Sequence, residues 1–219
     1  MTSNLGKGPF ISFEGGDGSG KTGLIERLYE ALNRKGYRVH KTREPGGTPS
    51  AELIRPLILQ GDVARWDSIT EALLMFASRR DHVEKVIKPK TESGEIVLSD
   101  RFAESSRAYQ GWAKGDNRTE VAMIQQAAIG SFKPDLTFIL DVDVVRGLER
   151  ANKRMNNLVE KEDRFENNGL EFHERVREAF LSFCDEEPDR CIRIDANGDQ
   201  ESVFRAVTAV LNHKFGWNL

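Results

Sequence analysis

The chain predicts an α/β fold, a three-layer sandwich in which a five-stranded parallel sheet lies between helices. Three features carry that prediction. Five short apolar runs are present, longer helical patterns separate them, and a glycine-rich turn joins the first run to the first helix. Strands joined by crossover helices favour parallel pairing with helices on both faces. At 219 residues the chain suits one domain over 1–219, long enough to bury a single substantial core.

The first strand is expected at Phe10–Phe13. It leads into Gly15-Gly16-Asp17-Gly18-Ser19-Gly20-Lys21-Thr22, with the spacing G-x4-G-K-T. Glycines let the backbone turn tightly enough for successive N–H groups to point at one anion. Lys21, expected to stand exposed in this cradle, adds a point charge for outer phosphates. Thr22 offers a hydroxyl to Mg²⁺, and the following helix adds its dipole. Four such fixed positions match by chance in about one chain of this length in a hundred. The alternative is a plain glycine-rich turn. The loop makes the fold a P-loop NTPase type and the protein a binder of nucleoside triphosphate, with Gly15 to Thr22 as the ATP-binding segment.

Helix Lys21–Lys35 ends at Gly36, and strand Arg38–Thr42 runs into the loop Arg43–Thr48. Helix Ala51–Gln60 follows. A long helix is expected at Ser68–Ile87, with Ile69, Leu73, Phe76, Val83 and Ile87 at helical spacing and Pro89 as its terminator. Strand Ile96–Ser99, helix Arg118–Ser131, strand Leu136–Asp141 and helix Val144–Arg154 come next. The charged stretch Met155–Asn168 breaks the pattern, and helix Leu170–Glu186, strand Cys191–Asp195 and helix Gln200–Lys214 complete the chain.

Composition excludes several classes. Net charge is −3 with 31% charged residues, so no basic field points to nucleic acid. The longest apolar run, Ala72 to Ala77, is too short to span a bilayer, and Met1 to Pro9 offers no apolar signal segment. Cys184 and Cys191 fit no metal or redox spacing and read as reduced thiols of a cytoplasmic protein. His40, His82, His173 and His213 are scattered without ligand spacing and read as structural or surface residues.

Ligands of an open parallel sheet gather at the carboxyl ends of its strands. There the chain delivers Arg43 and Glu44, then Asp100 and Arg101, then Ser105 to Gln110, and after the fourth strand a helix with Arg146, Arg150 and Arg154. Three arginines at i, i+4 and i+8 share one face, either as a solvated basic surface or as a polyphosphate contact. Asp100 either holds Mg²⁺ directly or through water, binds a substrate hydroxyl, or caps the next helix. Phe76 either belongs to the core or leads, with Arg79 and Arg80, toward something polar. The stretch around residues 150–168 is either a lid that closes over substrate or a linker. Phosphoryl transfer needs positioning and charge neutralisation more than covalent chemistry, and the chain supplies those.

Several of these segments together resemble thymidylate kinase: the phosphate loop, Thr42-Arg43-Glu44-Pro45-Gly46-Gly47-Thr48, Leu74-Met75-Phe76 with Arg80, and Asp100-Arg101-Phe102 through Ser105-Ser106-Arg107-Ala108-Tyr109-Gln110. Lys133-Pro134-Asp135-Leu136 and Leu140-Asp141-Val142 extend the resemblance to about Phe10–Ala196. It implies a nucleoside monophosphate kinase-like fold, a transfer of the γ-phosphate of Mg·ATP to dTMP, and a homodimer. It further implies that Phe76 stacks on thymine, that Arg80 bonds its edge, and that Ser106 and Gln110 lie near the base. Tyr109 would pack where a ribose 2′-hydroxyl would sit. Arg43 and Arg101 would clamp phosphates, while Glu44 and Asp100 organise the acceptor and metal. Asp17 in the loop resembles the bacterial arrangement, in which lid arginines serve the transferred phosphoryl group: Arg150 and Arg154 first, then Arg164.

Two rivals remain at this stage. A GTP-dependent switch lacks support, because the chain's Asn152-Lys153 sits mid-helix without the guanine-reading Asp. A kinase for another nucleoside or nucleoside monophosphate shares most of these features.

Overall fold

The computed structural model describes residues 6–155 and 164–219, the side chains of Arg154 and Met155 excepted. Its sheet has the order β2-β3-β1-β4-β5, and every pairing is parallel. The strands are β1 (Phe10–Glu14), β2 (Val39–Arg43), β3 (Ile96–Asp100), β4 (Leu136–Asp141) and β5 (Cys191–Asp195). Each lies within a residue of its expected place. β1 and β4 are buried along their whole length, as strands covered on both faces must be.

Side chains alternate between the two faces. Ile11, Phe13, Leu98, Phe138 and Leu140 meet α1 (Lys21–Arg34) and α9 (Gln200–Phe215). On the other face, Phe10 and Val97 pack with Phe76, while Ile139 packs with Val176 and Phe180 of α8 (Leu170–Glu186). The register sets Asp100 of β3 beside Phe13 on one side and Arg43 on the other, so the carboxyl ends of three strands meet at one place.

Two expectations fail in the middle of the chain. Pro89 does not end the third helix. α3 (Ser68–His82) passes through a π-helical turn at Val83–Ile87 into α4 (Lys88–Glu92), and Pro89 lies in the first turn of α4. There the widened turn relieves the clash that a proline ring makes in a regular helix. The second omission is α5 (Ala103–Ser106), continued by a π-helical stretch at Arg107–Ala113. Polar Glu104, Ser105, Ser106 and Gln110 are buried there beside apolar neighbours, so no single apolar stripe marks the segment.

The remaining helices are α2 (Pro49–Leu59), α6 (Arg118–Ile129) and α7 (Val144–Met155). α2 starts two residues before its expected place because the Thr48 side chain caps it, accepting the Ala51 N–H at 3.0 Å. No helix among the described residues is long and apolar enough to cross a membrane. Cys184 and Cys191 are unpaired, and burial pushes their thiols up to about 11 and about 12.

Candidate active site

Gly15, Gly18 and Gly20 adopt φ of 131°, 71° and 94°, which turns the chain from β1 into α1. Gly18 also needs its missing side chain. A Cβ there would fall 1.9 Å from the Gly147 carbonyl oxygen, so α7 rests on the loop backbone to backbone. Lys21 is buried rather than exposed in its cradle, at 7% exposure. Its ammonium donates to the Gly15 and Gly16 carbonyls at 3.1 and 2.9 Å and to Ser19 Oγ at 3.2 Å. Burial, then the neighbouring Arg101, brings its pKa down to about 8.

The Thr22 hydroxyl donates to Asp100 Oδ2 at 2.8 Å. Asp100 therefore faces the loop and does not cap α5. A hydroxyl and a carboxylate meeting at the loop mouth are hard oxygen donors of the kind Mg²⁺ takes. No group of three or more His, Cys, Asp or Glu that could hold a metal exists among the described residues.

Arg101 spans the cleft from β3 to the loop. It adopts φ 72°, a left-handed conformation rare for a side chain of this size. Its own N–H donates to the Phe13 carbonyl at 3.0 Å, and the next N–H, of Phe102, donates to Glu14 Oε1 at 2.7 Å. The guanidinium meets Asp17 at 2.5 Å, the Gly15 carbonyl at 3.1 Å and Ser105 Oγ at 3.0 Å. Tyr109 donates its hydroxyl to the other Asp17 oxygen at 3.2 Å. Burial alone would raise the Asp17 pKa, but Arg101 and then Lys21 hold it below the usual carboxylate range. Glu14 escaped the sequence analysis although it ends β1 directly before the loop. Burial, then Glu104, pushes it up to about 8.

The expected pairing of Phe76 and Arg80 with a substrate base does not match their placement. Phe76 is 1% exposed and packs on Phe10, Val97 and Phe102, whereas Arg80 points at the Ala128 carbonyl of α6 at 2.9 Å. One step along a helix turns the side chain by about 100°, so a register shift of one residue changes faces. Met75 and Arg79 occupy the other face. Met75 lines the cleft, and buried Arg79 donates to Glu44 Oε2 at 2.6 Å, Ser106 Oγ at 3.0 Å and the Phe102 carbonyl at 2.9 Å. Its guanidinium lies 4.5 Å from the Phe76 ring centre, so Phe76 supports Arg79 from behind. Ser106 is thereby used up inside the protein and does not line the cleft.

His82, read as an ordinary structural or surface histidine, sits between Glu44 Oε1 at 2.9 Å and Thr42 Oγ1 at 2.7 Å. Burial would raise the Glu44 pKa, but Arg79 and His82 lower it. Glu71, Met75 and Arg79 recur at i, i+4 and i+8, with Ser78 and His82 beside them. That stripe was a signal open to sequence reasoning, and it went unread because it mixes apolar with charged residues.

Of the arginines expected to serve the transferred phosphate, Arg150 reaches the Ala196 carbonyl at 3.4 Å, and Arg146 of the same arginine row reaches the Asn197 carbonyl at 2.5 Å. Both face the loop after β5, whereas Gly147 and Ala151 of α7 lie against Gly18 of the phosphate loop. Arg164 is 1% exposed and spends its guanidinium on the Ile58, Asp62 and Val63 carbonyls and on Glu71. The Arg154 side chain and residues 156–163 of the expected lid lie outside the described residues.

What remains forms one cleft of about 1050 Å³. Lys21, Thr22, Asp100 and Arg101 line it together with Glu44, Met75, Tyr109, Gln110, Asp17 and Arg43. Arg43 pairs with Glu52 at 3.3 Å, and Glu52, Arg55, Phe165 and Glu166 complete the wall. A phosphate loop at the head of α1 and a second, polar recess at the carboxyl edge of a five-stranded parallel sheet define a P-loop kinase of the nucleoside monophosphate type.

Residues 13–207 match the family model for thymidylate kinase. The chain is 45% identical over 210 residues to the thymidylate kinase of Caulobacter vibrioides, covering 96% of this chain and 99% of that one. It is 44% identical to the thymidylate kinase of Afipia carboxidovorans, over 95% and 91% of the two chains. The crystal structure of thymidylate kinase from Ehrlichia chaffeensis superposes with a TM-score of 0.73 at 35% identity, over 94% of this chain and 99% of that one. The chain belongs to the thymidylate kinase family.

Proposed function

We propose that the protein transfers the γ-phosphoryl group of ATP to dTMP, giving dTDP and ADP, as a step in the supply of dTTP. The observation that carries this reading is a single cleft lined both by Lys21, Thr22, Asp100 and Arg101 at the phosphate loop and by Glu44, Met75, Tyr109 and Gln110. In the transfer, a phosphate oxygen of dTMP bonds to the γ-phosphorus, and the bond to the bridging oxygen of ADP breaks. Lys21 leaves the Gly15 and Gly16 carbonyls for the outer phosphates, and the loop N–H groups hold the β-phosphate. Thr22 and Asp100 would hold Mg²⁺, which when bound neutralises charge on the phosphates. Arg101 and Arg43 clamp the acceptor phosphate, Asp17 and Tyr109 flank its sugar, and Glu44, Met75 and Gln110 face its base. Arg154 remains the candidate for charge delivered from a lid over residues 150–168.

The protein works in the cytoplasm as a homodimer in this reading. Leu53 and Leu57 of α2, Leu73 of α3 and Met123 of α6 are exposed on three helices that pack side by side, an apolar face of the kind a subunit interface buries. A coupled assay of ADP release with magnesium, ATP and dTMP, dUMP, CMP, AMP or thymidine tests the reading. dTMP should be the preferred acceptor. Turnover of thymidine without dTMP would reject the assignment.

A further inference from the structure

Glu71 of α3 has no solvent exposure, although it is charged and lies one turn before Met75 on the side that faces the cleft. Its Oε1 takes two cations, Arg164 and Lys114, while its Oε2 accepts the Gln110 side-chain N–H at 3.1 Å. A carboxylate paired with two cations accepts hydrogen bonds and donates none. Only the NH₂ half of the Gln110 amide can therefore face it, and the oxygen half is directed away from Glu71. Gln110 lines the cleft, and its Oε1 is buried without any hydrogen-bond partner. A buried acceptor left without a donor is unfavourable, so a ligand that brings an N–H to this oxygen recovers that loss.

We propose that Glu71 is a positioning residue for base selection: it locks the Gln110 amide so that an acceptor meets the ring edge of the substrate. A ring carrying an imide N–H, as in thymine or uracil, completes the bond. A cytosine ring presents a lone pair at the same place and leaves two acceptors opposed, the kind of mismatch that buried polar sites reject most strongly. Glu71 touches no substrate, and it acts through Gln110. The inference rests on the proposed dTMP kinase activity.

The test is the ratio of kcat/KM for dTMP over dCMP in wild type, Glu71→Gln, Gln110→Met and the double variant. A glutamine at position 71 accepts as well as donates, so the Gln110 amide is free to turn. Glu71→Gln should lower the ratio at least about tenfold, equivalent to about 1.4 kcal/mol. In the Gln110→Met background the same substitution should leave the ratio within about twofold. A role confined to supporting the fold predicts lower melting temperature and kcat with an unmoved ratio, and that result overturns the inference. An equal fall in both backgrounds overturns it too. Should Glu71→Gln not fold, a neutron structure of wild type with dTMP decides. Deuterons of Gln110 pointing at Glu71 support the inference, and an amide turned the other way refutes it. Wild type without dTMP turnover would defeat the functional reading itself, whereas turnover with an unmoved ratio defeats this inference alone.

Discussion

Replacing Arg79 by lysine separates the two faces of α3 in one measurement. The guanidinium makes three hydrogen bonds in different directions, to Glu44, Ser106 and the Phe102 carbonyl, while lying against the Phe76 ring. An ammonium on a flexible stem keeps the charge but cannot hold that fork. If it keeps Glu44, then Ser106 Oγ and the Phe102 carbonyl lose their donor inside the protein. At about 1–3 kcal/mol for each buried group left unsatisfied, Arg79→Lys should destabilise by about 2–6 kcal/mol. Arg80→Lys offers the contrast, since Arg80 is half-exposed and pairs with Glu84 at 3.3 Å on the surface. That pair is worth less than about 1 kcal/mol. Urea unfolding gives the stabilities, and steady-state kinetics give KM for dTMP, which should rise at least about tenfold for Arg79→Lys and stay within about twofold for Arg80→Lys. A Cm for Arg79→Lys equal to wild type, or a larger KM effect at Arg80, would refute the placement of the base recess on the Met75–Arg79 face.

Lys21→Ala should lower kcat by about 10³ or more while urea unfolding stays close to wild type, because the residue leaves a hydrogen-bonded pocket but no core contact. Gly18→Ala should abolish ATP binding by calorimetry and lower the melting temperature, since its methyl group collides with the Gly147 carbonyl and its φ of 71° disfavours a side chain. Arg150→Ala should leave kcat within about threefold in the coupled assay, because the residue bonds the Ala196 carbonyl outside the cleft. Glu14 gives a pH signature in the ligand-free protein. Its pKa is raised from 4.5 to about 8, so the folded state binds the extra proton. Its contribution is full below the unfolded value and is lost as pH rises toward about 8. Each unit is worth about 1.4 kcal/mol, so the stability of wild type relative to Glu14→Gln should fall by a few kcal/mol between pH 5 and 8 in urea titrations. A difference that is flat with pH would remove Glu14 from its buried place under Arg101.

The sheet was legible from the sequence because parallel strands buried on both faces leave unbroken apolar runs, as at Phe10–Phe13 and Leu136–Asp141. The phosphate loop was legible because its glycines answer a backbone requirement that few other residues meet. What escaped notice follows from polarity inside the protein. Glu14, Glu71, Arg79 and Arg164 are ionisable groups buried with hydrogen bonds to other side chains or to the backbone, and a hydropathy pattern assigns such residues to the surface. The π-helical turns at Val83–Ile87 and Arg107–Ala113 shift the helical phase, so a reading in steps of 3.6 residues loses its place there. The choice of Phe76 over its neighbour Met75, which lines the cleft, has a related cause, since an aromatic ring is the more obvious partner for a base.

β2 and β5 are the two edges of the sheet, and among the described residues no strand pairs with the outer side of β2. A bare strand edge invites another polypeptide to add itself and start an aggregate. Here the sequence Val39-His40-Lys41-Thr42-Arg43 carries cationic side chains along that margin, and Lys41 is further tethered to Glu26 of α1. A second copy approaching in extended form would bring its own cations against these, and the two would repel. The strand that borders the cleft thus also guards the protein against sticking to itself, and neutral β-formers at 41 and 43 would be expected to favour insoluble assemblies, measurable by light scattering on mild heating.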